Sequence, residues 1–168
     1  MSIQEHKALA PEKAKCMIVT VSDTRNKDTD KSGRIIRSFL TEQNHDIREY
    51  RIVSDDMNLI NEAAQAAIKD EEIDVVIFNG GTGIAPRDVT IESLSSLFEK
   101  EITGFGELFR MISYTEDIGS GAMLSRAVAG VHGKTAIFAL PGSSGAVKLG
   151  MEKLILPELT HIVQQLHK

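Results

Sequence analysis

Between residues 79 and 88 the chain reads Asn79-Gly80-Gly81-Thr82-Gly83-Ile84-Ala85-Pro86-Arg87-Asp88. Glycines placed directly after an apolar run permit positive φ and let a bulky group approach bare backbone N–H groups. Such a turn makes an anion-binding nest, beside which Thr82 offers a hydroxyl and Arg87 a permanent cation. A Gly-Gly pair alone reads as a tight turn. Gly80, Gly81 and Gly83 together with Thr, Arg and Asp point instead to a phosphate site. Two familiar nucleotide motifs are excluded. Gly81-x-Gly83 lacks the third glycine of a dinucleotide fingerprint, because Pro86 stands at the matching position. Gly133-Lys134-Thr135 resembles the end of a P-loop, but Val128 replaces the upstream glycine and the segment leads into a strand.

Carboxylates follow the same punctuation. Asp23 comes after the first apolar run, Asp55 and Asp56 after the second, and Asp88 after the third. In an open parallel sheet, ligands bind outside the carboxyl ends of the strands, so these groups, far apart in sequence, are expected to converge. Asp56, just ahead of a helical pattern, reads as a cap. Carboxylates beside phosphates call for a cation between them, and Mg²⁺ takes one or two carboxylates plus phosphate oxygens. The implied chemistry is phosphoryl or nucleotidyl transfer, driven by positioning and charge neutralisation. Leu140-Pro141-Gly142-Ser143-Ser144-Gly145 follows the last strand and opens a helix whose N–H groups suit an anion; Ser143 taken alone is its N-cap. Ser125-Arg126 falls on a predicted strand, where the Arg suits either an ion pair or fork-like phosphate binding.

The elements that must position these groups are legible as periodicity. Residues 16–21, 46–53 and 74–79 read as strands, and 31–43 and 57–69 as helices between them. Alternation of strand and helix predicts an α/β fold with a largely parallel sheet. Helical patterns follow over 91–99 and 105–114. Residues 123–131 and 134–140 flank a turn at His132-Gly133, which predicts a hairpin and one antiparallel strand. Two helices close the chain, residues 144–156 and one with Pro157 in its first turn. Residues 1–14 lack periodicity and contain Pro11, so they read as an arm, mobile or docked on a partner subunit; residues 15–168 read as one domain.

Composition narrows the function classes. Among 168 residues, 19 Lys and Arg stand against 24 Asp and Glu, a net charge of −5. That argues against a dedicated nucleic-acid binder, though not against a small anionic ligand. The single cysteine, Cys16, lies in an apolar run and reads as a buried strand thiol. The five histidines show no ligand spacing. Residues 1–15 contain no apolar signal core, and no apolar run approaches the roughly 20 residues a membrane span needs. The expectation is a soluble cytoplasmic protein with no membrane partner.

Taken together, Ser22-Asp23-Thr24-Arg25, Val53-Ser54-Asp55-Asp56, Gly80 through Thr90, Gly104-Phe105-Gly106-Glu107, Ser125-Arg126-Ala127-Val128 and Pro141-Gly142-Ser143 resemble the MoaB/MogA family of molybdenum cofactor biosynthesis proteins. The likeness runs from residue 15 to the end, and GFGELFRMIS leading to SRAVAG resembles the MoaB members more than the MogA members. Ile91 departs from the pattern, which often has Pro there.

The resemblance implies a three-layer αβα fold that binds molybdopterin and adenylylates it with Mg-ATP, releasing pyrophosphate. Asp55 and Asp88 match the catalytic carboxylates that hold Mg²⁺ through phosphates. Asp23 and Arg87 stand beside the phosphate loop formed by Gly80, Gly81, Thr82 and Gly83. Ser125, Arg126 and the turn Pro141, Gly142, Ser143, Ser144 would hold the pterin's phosphate region. The family likeness also implies trimers that pair into hexamers. Two alternatives remain at this level: a non-catalytic molybdopterin-binding scaffold of the same pathway, and a nucleotide-binding α/β domain with another substrate.

Overall fold

The computed structural model describes residues 2–168. The strands are β1 (Lys15–Val21), β2 (Asp46–Val53), β3 (Val75–Asn79), β4 (Lys100–Glu101), β5 (Val128–His132) and β6 (Thr135–Leu140). They form one sheet in the order β2-β1-β3-β6-β5-β4. The four strands β2, β1, β3 and β6 are parallel, and β5 runs against both of its neighbours. The expected mixed sheet with one reversed strand is therefore present.

Both faces of the sheet are covered, which is why its central strands are continuously apolar. Side chains alternate across the sheet with a period of two. Cys16 and Ile18 of β1, Val75 and Ile77 of β3 and Phe138 and Leu140 of β6 enter one core cluster. Against them pack α2 (Lys31–Glu42), α5 (Thr103–Glu116), α6 (Ser144–Gly150) and α7 (Leu156–Leu166). Met17, Val19, Val76, Phe78 and Ile137 enter the other cluster, under α3 (Met57–Lys69) and α4 (Thr90–Ser95). The fit of α3 comes from Ile60, Ala63, Ala64 and Ala67, spaced three or four apart and all buried. Cys16 is fully buried, and burial pushes its thiol up to about 12, so it is a packing group.

Four expectations are corrected. Residues 119–124 form a 3₁₀ turn and β5 begins only at Val128, so Ser125 and Arg126 lie in a loop rather than on a strand. The helix expected over 91–99 ends at Ser95, and the short strand β4 follows. The two C-terminal helices are continuous, joined by a π-helical turn at Met151–Ile155. Pro157 has no N–H to donate back into the preceding turn, and the wider π turn carries the chain past it without a break. Residues Ile3–Ala8 form a helix, α1, closed by a capping box between Ser2 and Glu5. It docks on α7 of its own chain through Lys7 and Glu158 and through His6 stacked on His161 at 6.2 Å. Met1 of the expected arm lies outside the described residues. Among the described residues no helix is long and apolar enough to cross a membrane.

Candidate active site

Parallel strands deliver the loops after β1, β2, β3 and β6 to one rim of the sheet. The reversed strand β5 brings its entry segment, Ser125 to Ala127, to the same rim. There the loops enclose a cavity of about 370 Å³. Its lining contains Asp23, Asp55, Gly80, Gly81, Thr82, Gly83, Arg87, Asp88, Ser125, Pro141 and Gly142, all singled out by sequence. Arg126, Ser143 and Ser144 do not line it. Ser143 caps α6, accepting from the Ala146 N–H at 3.3 Å, and Asp56 caps α3 through the Leu59 N–H at 3.0 Å.

The glycine loop is built so that all its carbonyls are spent, while of its N–H groups only that of Gly80 is, donating to Leu140 O at 3.0 Å. Gly80 O accepts from Thr90 Oγ1 at 2.9 Å, and Gly81 O from the Thr90 N–H at 3.0 Å. Arg126 donates from Nε to Thr82 O and from Nη2 to Gly83 O, each at 2.9 Å. Its guanidinium is completed by Glu92, whose carboxyl it holds below the ordinary range. Among the described residues, the N–H groups of Gly81, Thr82 and Gly83 donate to no protein acceptor. Three successive unspent donors on a cavity wall form an anion nest. Arg126 is thus placed behind the loop, bracing it, rather than in the cavity.

Glycine is required here sterically. At Gly80 φ is +95°, and a Cβ would sit 2.3 Å from the Val21 carbonyl oxygen. At Gly81 φ is +65°, and a Cβ would meet Thr90 Oγ1 and Asp55 Oδ1 at 2.4 and 2.8 Å. That second approach also shows how near the Asp55 carboxylate lies to the loop.

The carboxylates are linked to one another. Asp23 Oδ1 accepts the Asp55 N–H at 2.9 Å, tying the β1 loop to the β2 loop. Asp88 Oδ2 accepts from the Ala85 N–H at 3.1 Å within its own turn. Burial raises the Asp55 pKa above its ordinary 3.8, the neighbouring Asp23 charge raises it further, and Arg87 works against both. Asp23, Asp55 and Asp88 face two guanidinium groups, Arg25 and Arg87, so the wall carries an acid excess suited to a bound cation.

Two groups that the sequence reading quoted without a role join the candidate site. Arg25 lines the cavity, donating to Gly142 O at 3.3 Å and lying 3.7 Å from Asp30. Asp30 is fully buried and also accepts from Thr20 Oγ1 at 2.6 Å, from Tyr50 Oη, and from the Gly33 N–H at 3.0 Å. Thr90 is the other, a fully buried brace under the glycine loop. Its place two residues after Arg87-Asp88 was visible, but nothing local marked its hydroxyl as a clamp.

Comparison with known proteins converges on one family. The profile described as "Probable molybdopterin binding domain" matches residues 17–161. The chain is 58% identical to molybdenum cofactor biosynthesis protein B of Bacillus cereus and 57% identical to that of Bacillus subtilis, each over 168 residues, 100% of this chain and 99% of the relative. A crystal structure of molybdenum cofactor biosynthesis protein B superposes with a TM-score of 0.92 at 58% identity, covering 94% of this chain and 98% of that one. The tungsten cofactor synthesizing protein MoaB of Pyrococcus furiosus superposes with a TM-score of 0.84 at 41% identity, covering 95% and 100%. The carboxylate-rimmed nest therefore sits on a chain that belongs to the MoaB/MogA family of molybdenum cofactor biosynthesis proteins, on its MoaB side.

Proposed function

We propose that the protein adenylylates molybdopterin with Mg-ATP and releases pyrophosphate. The observation that carries this reading is the row of three unspent N–H groups, Gly81 to Gly83, beside the Asp55 and Asp88 carboxylates. Family membership supports molybdopterin as the ligand. Main-chain donors fixed before the ligand arrives stabilise charge without reorganising during reaction. Thr90 and Arg126 hold that arrangement by binding all four carbonyls of residues 80–83.

Among the described residues no three His, Cys, Asp or Glu side chains are grouped to hold a metal by themselves. Asp55 and Asp88 suit Mg²⁺ that arrives already bound to ATP, since this ion takes one or two carboxylates plus phosphate oxygens. When bound, it would neutralise developing negative charge on the phosphates. Arg87 and Arg25 hold phosphate oxygens from either side, and Ser125 with the Pro141-Gly142 turn closes the wall where the pterin phosphate would lie. The reaction forms a bond from a molybdopterin phosphate oxygen to the α-phosphorus. It breaks the bond from that phosphorus to the bridging oxygen, whose electron pair leaves with pyrophosphate. A pyrophosphate-release assay with and without molybdopterin tests the reading: release should require both substrates. Tight pterin binding with no release would mark the protein as a scaffold instead.

The pH dependence follows from the carboxyl environment. Metal binding needs Asp55 ionised, so activity should fall on the acid side as this raised group protonates. Asp23→Asn removes one cause of the raised pKa and should move the acid limb of kcat/KM to lower pH. Arg87→Gln removes the opposing cation and should move it to higher pH. Shifts in the same direction would contradict the assignment of Asp55.

We also propose that copies of the chain associate through α5 and the 3₁₀ turn, as expected for trimers or hexamers. Leu108, Met111, Tyr114, Ile118, Met123 and Leu124 are exposed there, Met123 by 80%. Contiguous exposed apolar side chains mark association surfaces, and Met and Tyr are enriched in them. Leu124 also lines the cavity, so a neighbouring copy would abut its mouth. Met111→Glu should reduce the mass measured by light scattering to that of smaller assemblies or the monomer. An unchanged mass would move the interface elsewhere.

A further inference from the structure

The cavity at the glycine loop, about 370 Å³, lies near the small end of ligand sites, which span roughly 300–1,000 Å³. A reaction joining two substrates needs room on both sides of the reacting phosphorus. Across a wall made by Ser22, Asp23 and Arg25, a second groove of about 510 Å³ opens between the loop after β1 and the end of β2. Its lining has the reverse balance of the first: Arg25, Lys27 and Arg51 stand beside one lining carboxylate, Asp23, with Asp30 and Glu49 paired to the two arginines.

Arg25, Arg51 and the backbone that carries Lys27 are held in place. The Arg25 guanidinium is fixed from behind by Asp30, and Tyr50, which lines the groove, donates its hydroxyl to that same carboxylate. Lys27 sits on a turn closed on itself: Asn26 Oδ1 accepts from the N–H groups of Asp28 and Thr29 at 2.9 and 3.1 Å. Arg34 reaches the Asp28 carbonyl from the other side. Among the described residues Lys27 forms no ion pair, and Arg51 uses only its Nε on Glu49. Arg forks and Lys point charges carried on a fixed frame match phosphate oxygens.

We infer that this groove receives the terminal diphosphate of the nucleotide, the part that departs as pyrophosphate, while the α-phosphate lies at the glycine loop. The inference rests on the adenylylation reading and adds where the leaving group is held. Arg25, shared by both compartments, spans the bond that breaks.

The test uses the full chain carrying Lys27→Gln and Arg51→Gln together, titrated calorimetrically with inorganic pyrophosphate, Mg-ATP and AMP. Affinity for pyrophosphate and Mg-ATP should fall tenfold or more, while AMP, which lacks the terminal diphosphate, should stay within twofold. Charge-keeping Lys27→Arg with Arg51→Lys should bind pyrophosphate within threefold of the wild type. Equal losses for all three ligands, or no loss of pyrophosphate binding, would overturn the assignment. If the wild type releases pyrophosphate and the Gln variant keeps its KM for ATP, the groove assignment alone fails. A wild type that binds neither ATP nor pyrophosphate overturns the adenylylation reading and the groove together.

Discussion

Asp55→Asn should lower pyrophosphate release at least a hundredfold at neutral pH and at the same time raise the melting temperature. The loss follows from removing one of two carboxylates available to the cation; a single electrostatic group at a transfer site is worth roughly 10²–10³ in rate. The gain follows from the sign of the pKa shift. The folded protein raises this carboxyl above its unfolded value of 3.8, so ionising it costs folding free energy as pH rises through that window and above. Below pH 3.8 the group is neutral in both states and the stabilisation should vanish. Thermal melts of the two proteins across pH 3 to 8 check this, read beside the assay. Intact activity, or a melting temperature lowered at pH 7, would show that Asp55 is a structural group. Active sites commonly hold groups that trade stability for function.

Gly80→Ala should be the most damaging single change to the fold at this rim. The added methyl would lie 2.3 Å from the Val21 carbonyl oxygen, a main-chain atom that cannot rotate away, at a φ of +95°. Left-handed strain costs about 1–3 kcal/mol and overpacking a further 1–3. The expected fall in melting temperature is therefore roughly 4–24 °C for a domain of this size. The Gly80 N–H donates to Leu140 O at 3.0 Å, and a Cβ at Gly142 would lie only 3.1 Å from the Gly80 Cα, so the displacement should reach the turn after β6 as well. A fall under about 2 °C would mean that the loop relaxes freely and is no rigid nest.

Much of this architecture was legible because it follows from periodicity and punctuation. β2 and α3 have the same bounds in the sequence reading and in the structure, since each pattern ends abruptly in polar residues. The rim was legible because Asp23, Asp55 and Asp88 each follow a strand that parallel topology points the same way. Elements set by tertiary pairing were not. β4 is only Lys100–Glu101, paired with Gly130 and Val131, and no local pattern marks a strand of two charged residues. Arg126 illustrates a different limit: a lone Arg is equally fit for a ligand or for main-chain carbonyls, and only the loop's position decides. Asp30 read as polar punctuation, although it is fully buried at the end of the same face that carries Cys16 and Ile18. There Thr20 and Asn79 replace apolar residues, with Asn79 Nδ2 donating to Thr20 Oγ1 at 2.9 Å. That polar end of an otherwise apolar face was the signal available in the sequence for the network behind Arg25.

On the proposed reading, carboxylates from separate loops and the free amides of residues 81–83 act on one metal-bound phosphate chain. That reading is tested most directly by a crystal structure with Mn²⁺ and a non-hydrolysable ATP analogue, locating the metal by anomalous scattering. The expected result is a single peak bonded to Asp55 or Asp88, or to both, and to phosphate oxygens, with the N–H groups of Gly81 to Gly83 on the phosphate. A metal away from both carboxylates, or phosphates remote from that loop, would contradict it.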